Sequence, residues 1–137
     1  MAYINKSKSD DWATPKSLYN SFMQGGYYDP CPLFSSFDGL SIEWKEKNFI
    51  NPPYSDLKKW IDKSIEEAKK GHECVLLIPS RTDTKAFESL YKFGCEFTFI
   101  IGRLHFNEGE AAPFPSVLVR LKGNGINELK YIKREDL

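Results

Sequence analysis

The sequence predicts an α/β fold: a mostly parallel sheet that ends in an antiparallel hairpin. Three observations carry this. Strand-like and helix-like patterns alternate along the chain, as they do where helices connect parallel strands. The segment CVLLIP (74–79) is continuously apolar, which suits a strand covered on both faces. Two further strand patterns, EFTFIIG (96–102) and SVLVRL (116–121), follow one another with only a Gly- and Pro-containing loop between them.

The elements read in order as follows. Residues 1–11 are polar and read as a flexible arm. Thr14-Pro15 is an N-cap followed by the first helical position. The helix carries Leu18, Tyr19 and Phe22 on one face and stops at Gly25-Gly26. YYD (27–29) reads as a short strand, and the Pro-, Ser- and Gly-rich residues 30–41 as a loop. NFI (48–50) is a second strand, running into Asn51-Pro52-Pro53-Tyr54. Ser55 then caps a helix whose apolar positions are Leu57, Trp60, Ile61, Ile65 and Ala68, a single stripe of period 3.6 that Gly71 ends. After CVLLIP, Thr82 or Asp83 caps a third helix with Ala86, Phe87, Leu90 and Tyr91 on its face, ending near Gly94. Residues 127–133 add an edge strand.

Composition narrows the function. The length, 137 residues, suits one domain, so 1–137 is expected to be a single unit. Lys and Arg number 19, Asp and Glu also 19, and the net charge is zero. A broad electrostatic grip on nucleic acid or an acidic membrane is excluded, and any polyanion site is a local patch. No apolar run approaches the roughly 18–20 residues that span a bilayer, and the N-terminus lacks the apolar core of a signal peptide. Cys31, Cys74 and Cys95 are odd in number and form no C-x-x-C, and His72 and His105 complete no ligand spacing with them. Reduced thiols in a cytoplasmic protein without a metal are expected. Cys74 reads as a buried small hydrophobe.

The stretch with chemistry in it is Asn51-Pro52-Pro53-Tyr54, between a strand and a helix. The carboxyl ends of strands in open parallel sheets are where ligands bind. A residue before proline is pushed into extended conformations, and neither proline has an N–H to donate. The turn therefore offers acceptors, the Asn51 side-chain oxygen and the Pro52 carbonyl, beside the flat ring of Tyr54. Such a corner suits the exocyclic amine of a planar base. Two acceptors on its N–H bonds favour a tetrahedral nitrogen with a localised lone pair, a form reached only toward the transition state. A base in a duplex has to be flipped out, at a cost of a few kcal/mol. Stacking on Tyr54 returns about 1–3 kcal/mol of that.

NPPY resembles the catalytic motif of amino-methyltransferases that use S-adenosylmethionine. More closely, the chain resembles the phage-type DNA N6-adenine methyltransferase (Dam) family. The matching stretches are DDWATP, YDPCP, DGL with Trp44, FINPPYSDLKKWIDKS, LLIPSRTDTKAF, FIIGRLHF and APFPSVLV, together spanning about residues 11–121. The resemblance implies an abbreviated Rossmann-like methyltransferase sheet with helices on both faces. It implies that S-adenosylmethionine is the cofactor and double-stranded DNA the partner, with no membrane involved. It also implies a place in phage or restriction–modification DNA methylation, in the cytoplasm of a bacterial host. Asn51, Pro52, Pro53 and Tyr54 would hold the adenine. Trp12, Thr14, Pro15, Asp29, Pro30, Cys31, Asp38 and Leu40 would contribute to the cofactor pocket.

The chain departs from the family pattern at DPCPLF, where related enzymes carry a Gly-rich turn. Asp29 and Asn51 are only 22 positions apart, too few for a further strand and helix, so the sheet is expected to be shortened. Several residues keep two readings. Trp12 and Trp44 also suit a core, Asp38-Gly39 a plain turn, and Asp29 a loop cap. Phe106 and Phe114 suit either core packing or stacking on the base. The lysines of the second helix alternate with acids and read as a solvated, salt-bridged face. Arg81 and Arg103 follow strands at the same edge as NPPY and are the candidates for DNA contact, with Phe106 beside them. With so little positive charge, affinity for DNA would come from these arginines, from stacking, or from a second subunit, so a homodimer is expected. Two alternatives stand beside this reading. One is an amino-methyltransferase acting on RNA or protein glutamine, and the other a catalytically reduced nucleic-acid-binding module.

Overall fold

A computed structural model describes residues 13–106 and 110–137. Its central feature is a five-stranded sheet of β1 (Lys47–Ile50), β2 (Glu73–Pro79), β3 (Cys95–Ile101), β6 (Ser116–Leu121) and β7 (Glu128–Lys133), in the order β1-β2-β6-β3-β7. β1 with β2 and β3 with β7 are parallel, while β6 lies antiparallel to both β2 and β3. Four strands thus point one way and β6 the other, which is the mostly parallel α/β sheet expected. The hairpin of β3 and β6 is present, with a small ribbon of β4 (His105–Phe106) and β5 (Glu110–Ala111) inserted in its loop. The edge strand is also present, but it lies on the far side of β3 from β6 and pairs with β3, not with its sequence neighbour β6.

Helices cover both faces. α2 (Leu57–Lys69) and α3 (Lys85–Phe93) pack over Ile50, Leu76, Ile78, Phe97, Val117 and Val119. α1 (Lys16–Gln24) covers the opposite face, where Leu18 and Phe22 meet Phe49, Val75 and Leu77. β2 sends alternate side chains into each cluster, which is why CVLLIP has no polar position. Trp44 and Trp60 stack at 6.2 Å within the first cluster, so Trp44 is a core residue.

Several boundaries differ from the sequence reading. α1 begins one residue later, at Lys16, with Pro15 as its N-cap and no side-chain cap. A 3-10 turn over Tyr54–Asp56 precedes α2, so Ser55 does not cap it. Thr84, not Thr82 or Asp83, caps α3: its hydroxyl accepts from Phe87 N–H at 3.2 Å. Tyr91, expected on the apolar face of α3, is 63% exposed. The YYD strand is a single bridge, Tyr28 to Asn48, parallel to β1. Between this bridge and β1 the only regular element is a 3-10 turn, Gly39–Ser41, so the shortening expected from the Asp29–Asn51 interval is present. A Cβ at Gly39 would overlap the Pro30 carbonyl and the Trp60 ring, so only glycine lets the 29–31 segment lie this close to the core.

Candidate active site

The turn that follows β1 peels away early. Ile50 pairs with Leu76, whereas β2 runs on to Pro79. Asn51 and its successors therefore leave the sheet while β2 continues to Pro79. Pro53 is extended (φ −65°, ψ 137°), and its carbonyl accepts from Asp56 N–H at 3.2 Å. Both prolines are buried, whereas Asn51 and Tyr54 are only part-buried. Phe114 meets the Tyr54 ring edge-on at 5.1 Å and 86°, and Phe106 stands 6.0 Å behind Phe114. Burial pushes the Tyr54 hydroxyl well above its usual range, so the side chain stays neutral.

An open cavity of about 310 Å³ lies beside Asn51, lined by Ala13, Thr14, Tyr19, Asp29, Cys31, Pro32, Leu33 and Asn51. Three chain segments far apart in sequence meet here: the approach to α1, the loop after the Tyr28 bridge, and the turn after β1. The Asp29 carboxylate accepts from the Tyr19 hydroxyl at 3.1 Å and from Cys31 N–H at 2.8 Å. Burial and the neighbouring Asp29 charge push the Tyr19 hydroxyl up to about 12, which keeps it a donor. Asn51 Nδ2 donates to Thr14 Oγ1 at 3.0 Å across the cavity wall.

These positions fall within the stretch matched by the family model for DNA N-6-adenine-methyltransferase (Dam), residues 2–119. The chain belongs to the Dam family. No curated protein matched it. Among solved structures it is similar to the crystal structure of a predicted O-methyltransferase from Agrobacterium tumefaciens. The sequences are 21% identical, with a TM-score of 0.44 over 70% of this chain and 44% of that one. The chain thus spans under half the length of that structure.

In this Dam-family chain the structure brings together Thr14, Asp29, Cys31 and Asn51 around one cavity, with Pro52, Pro53 and Tyr54 adjoining. Pro15 caps α1 beside it, and Pro30 is buried behind the loop. Asp38 and Leu40 are not brought to this cavity. The Asp38 carboxylate accepts from Leu40 N–H at 3.0 Å and from the Ser41 hydroxyl at 2.8 Å, and Leu40 packs on the core. That is the plain-turn reading of Asp38-Gly39, in which the carboxylate caps its own 3-10 turn. Trp12 lies outside the described residues. Arg81 is exposed and lines a second cavity of about 280 Å³ with Tyr54, Lys58, Thr84 and Phe87. Arg103 is also exposed, its guanidinium 3.4 Å from the Ala112 carbonyl. Phe106 is 1% exposed, so its place is in the core, where it supports Phe114 and offers no free ring face.

Sequence reasoning missed Tyr19 as a site residue. It was assigned to an apolar helix face, and a helical period does not distinguish an aromatic that fills a core from one whose hydroxyl reaches a cavity. Pro32 and Leu33 were also missed, because a Pro- and Ser-rich loop carries no signal for which side chains turn inward. Among the described residues no group of three His, Cys, Asp or Glu could hold a metal.

Proposed function

We propose that the chain transfers a methyl group from S-adenosylmethionine to the exocyclic N6 amine of an adenine in DNA. The observation that carries this reading is the cavity at Asn51, which gathers an ordered carboxylate, a hydroxyl and apolar plates beside the NPPY turn. The residues fit the charged end of S-adenosylmethionine. Asp29 can accept from an ammonium group, and Pro32, Leu33 and Ala13 offer apolar contact. When bound, the cofactor supplies an electrophilic methyl group.

The chain's own residues orient the acceptor. Asn51 Oδ1 and the Pro52 carbonyl take the two amine N–H bonds and favour a tetrahedral nitrogen whose lone pair is available. Tyr54 stacks on the flipped base, and Phe114 keeps its ring from turning away. Arg81 and Arg103 take phosphates on either side, as local cations on a neutral chain. We also propose that two copies act together, through the exposed edge strand β7. The setting proposed is the cytoplasm of a bacterial host, in phage or restriction–modification DNA methylation.

The test is transfer of a tritiated methyl group with DNA, RNA and protein offered in parallel, followed by a methylation-sensitive digest of DNA from cells expressing the chain. Label on DNA adenine is expected. Label on RNA or on a protein amide would move the activity to the other amino-methyltransferase classes. DNA binding without detectable S-adenosylmethionine binding by calorimetry would favour a non-catalytic binding module.

A further inference from the structure

Thr14-Pro15 has the signature of a helix start, yet the Thr14 hydroxyl does not cap α1. The helix has Pro15 as its N-cap and no side-chain cap bond. The hydroxyl accepts instead from Asn51 Nδ2 at 3.0 Å, a residue 37 positions away. The local device expected of this dipeptide has been diverted to the catalytic turn.

This use suits the chemistry of an amide. The two ends of an Asn side chain have the same shape and opposite roles, one donating and one accepting. Its last torsion is broad and roughly two-fold, so packing alone discriminates poorly between the two orientations. An amine is gripped only if the oxygen faces it. A hydroxyl can donate as well as accept, so it is the observed pairing, Asn51 Nδ2 donating to Thr14 Oγ1, that turns the NH₂ end of the amide to Thr14. Thr14 is also held rigidly: a β-branched side chain has few rotamers, and the following proline restricts its backbone to extended conformations.

We propose that Thr14 is a positioning residue for Asn51, its hydroxyl holding the amide with the oxygen turned toward the substrate amine. This rests on the reading of Asn51 as the acceptor for a base amine. The role differs from a direct cofactor contact, which Thr14's place on the cavity wall also suggests.

The experiment compares wild type, T14V, T14S, N51A and T14V/N51A. It uses steady-state methyl transfer to DNA, calorimetry with S-adenosylmethionine, and the NMR side-chain amide signals of Asn51. T14V is expected to lower kcat about 10- to 100-fold. The Kd for S-adenosylmethionine and the Tm should barely move. T14S, which keeps the hydroxyl, should recover most of the rate. The double variant should be no slower than N51A, because the two residues act as one unit. The Asn51 amide signals should be sharp and well dispersed in wild type and T14S and should collapse in T14V. Either of two results overturns the proposal. One is a T14V that weakens cofactor binding with kcat intact, which makes Thr14 a cofactor contact. The other is a T14V with unchanged Asn51 amide signals. A wild type that methylates no DNA sinks the reading of the site itself, and the amide signals then still decide whether Thr14 holds Asn51.

Discussion

In the proposed reaction Asn51 and Tyr54 would divide the work in a way that substitutions can separate. Asn51 would present an acceptor whose value rises as the amine becomes tetrahedral, so its loss would fall on the chemical step. Asn51→Ala is expected to lower kcat by about 10²–10³-fold while S-adenosylmethionine still binds; near-normal turnover would refute the amine-gripping role. Tyr54, whose ring is met edge-on by Phe114 at 5.1 Å, would contribute a ring face. Tyr54→Phe keeps the face and should be mild. Tyr54→Ala should forfeit about 1–3 kcal/mol of stacking, roughly 5- to 150-fold in kcat/KM. An equally severe Phe variant would show that the hydroxyl, not the ring, does the work. The turn after β1 was legible in the sequence because proline restricts its neighbours and removes donors wherever it occurs. Asp29 was legible as a residue at a strand end, but its donor from Tyr19 was not. That bond depends on how α1 is rotated over the sheet, which no local pattern records.

α2 shows the limit of reading an element by its period. The apolar stripe was read correctly: Trp60 and Ile61 are buried, and Leu57, Ile65 and Ala68 pack against the same cluster. The exposed Lys58–Asp62 pair, at 2.6 Å, is the solvated face expected. Glu67 lies outside the stripe, yet it is fully buried. It accepts from Lys63 at 2.8 Å, Lys70 at 3.3 Å, His72 at 2.7 Å and Trp44 N–H at 3.2 Å. Burial opposes its charge, but the bonds from Lys63, His72 and Trp44 outweigh it and hold the carboxyl at about 2, against an ordinary 4.5. A depressed carboxylate contributes stability above its unfolded value and loses it as pH falls through its folded value. The contribution, about 3 kcal/mol, is therefore complete above roughly pH 4.5 and drains away toward pH 2. Glu67→Gln leaves Lys63 without its counter-charge and should cost about 2–4 kcal/mol at pH 7. Urea titrations at pH 7 and pH 3 check this, since the gap between wild type and variant should narrow at the lower pH. A gap independent of pH would mean that Glu67 acts by shape alone.

For the whole molecule, net charge and the sheet edge set the remaining question. The 19 Lys and Arg are balanced by 19 Asp and Glu, so only local patches can face a duplex, and affinity that depends on phosphate neutralisation weakens as phosphate contacts become fewer. A second copy would double them. β7 is an edge strand, and Leu129 and Tyr131 on it are each 72% exposed. Such an edge presents unpaired backbone groups and is a template for another strand. Antiparallel pairing of two β7 strands about a two-fold axis allows two registers near its centre. One sets Lys130 against Lys130, a like-charge pair that disfavours it. The other centres on Tyr131, which meets its own copy, while Glu128 faces Arg134 and the stem of Lys133 covers Leu129. The second register is self-complementary and would extend the sheet from five strands to ten. The chain is therefore expected to run as a dimer in light scattering after gel filtration. Tyr131→Glu places two carboxylates on the axis and should give a monomer that binds DNA more weakly, with a shallower salt dependence. Cofactor affinity should be unchanged, because β7 lies at the far side of the sheet from the Asn51 turn. A wild type that stays monomeric at the highest concentration it tolerates would remove β7 as an assembly edge and leave Arg81, Arg103 and stacking on Tyr54 to hold DNA alone.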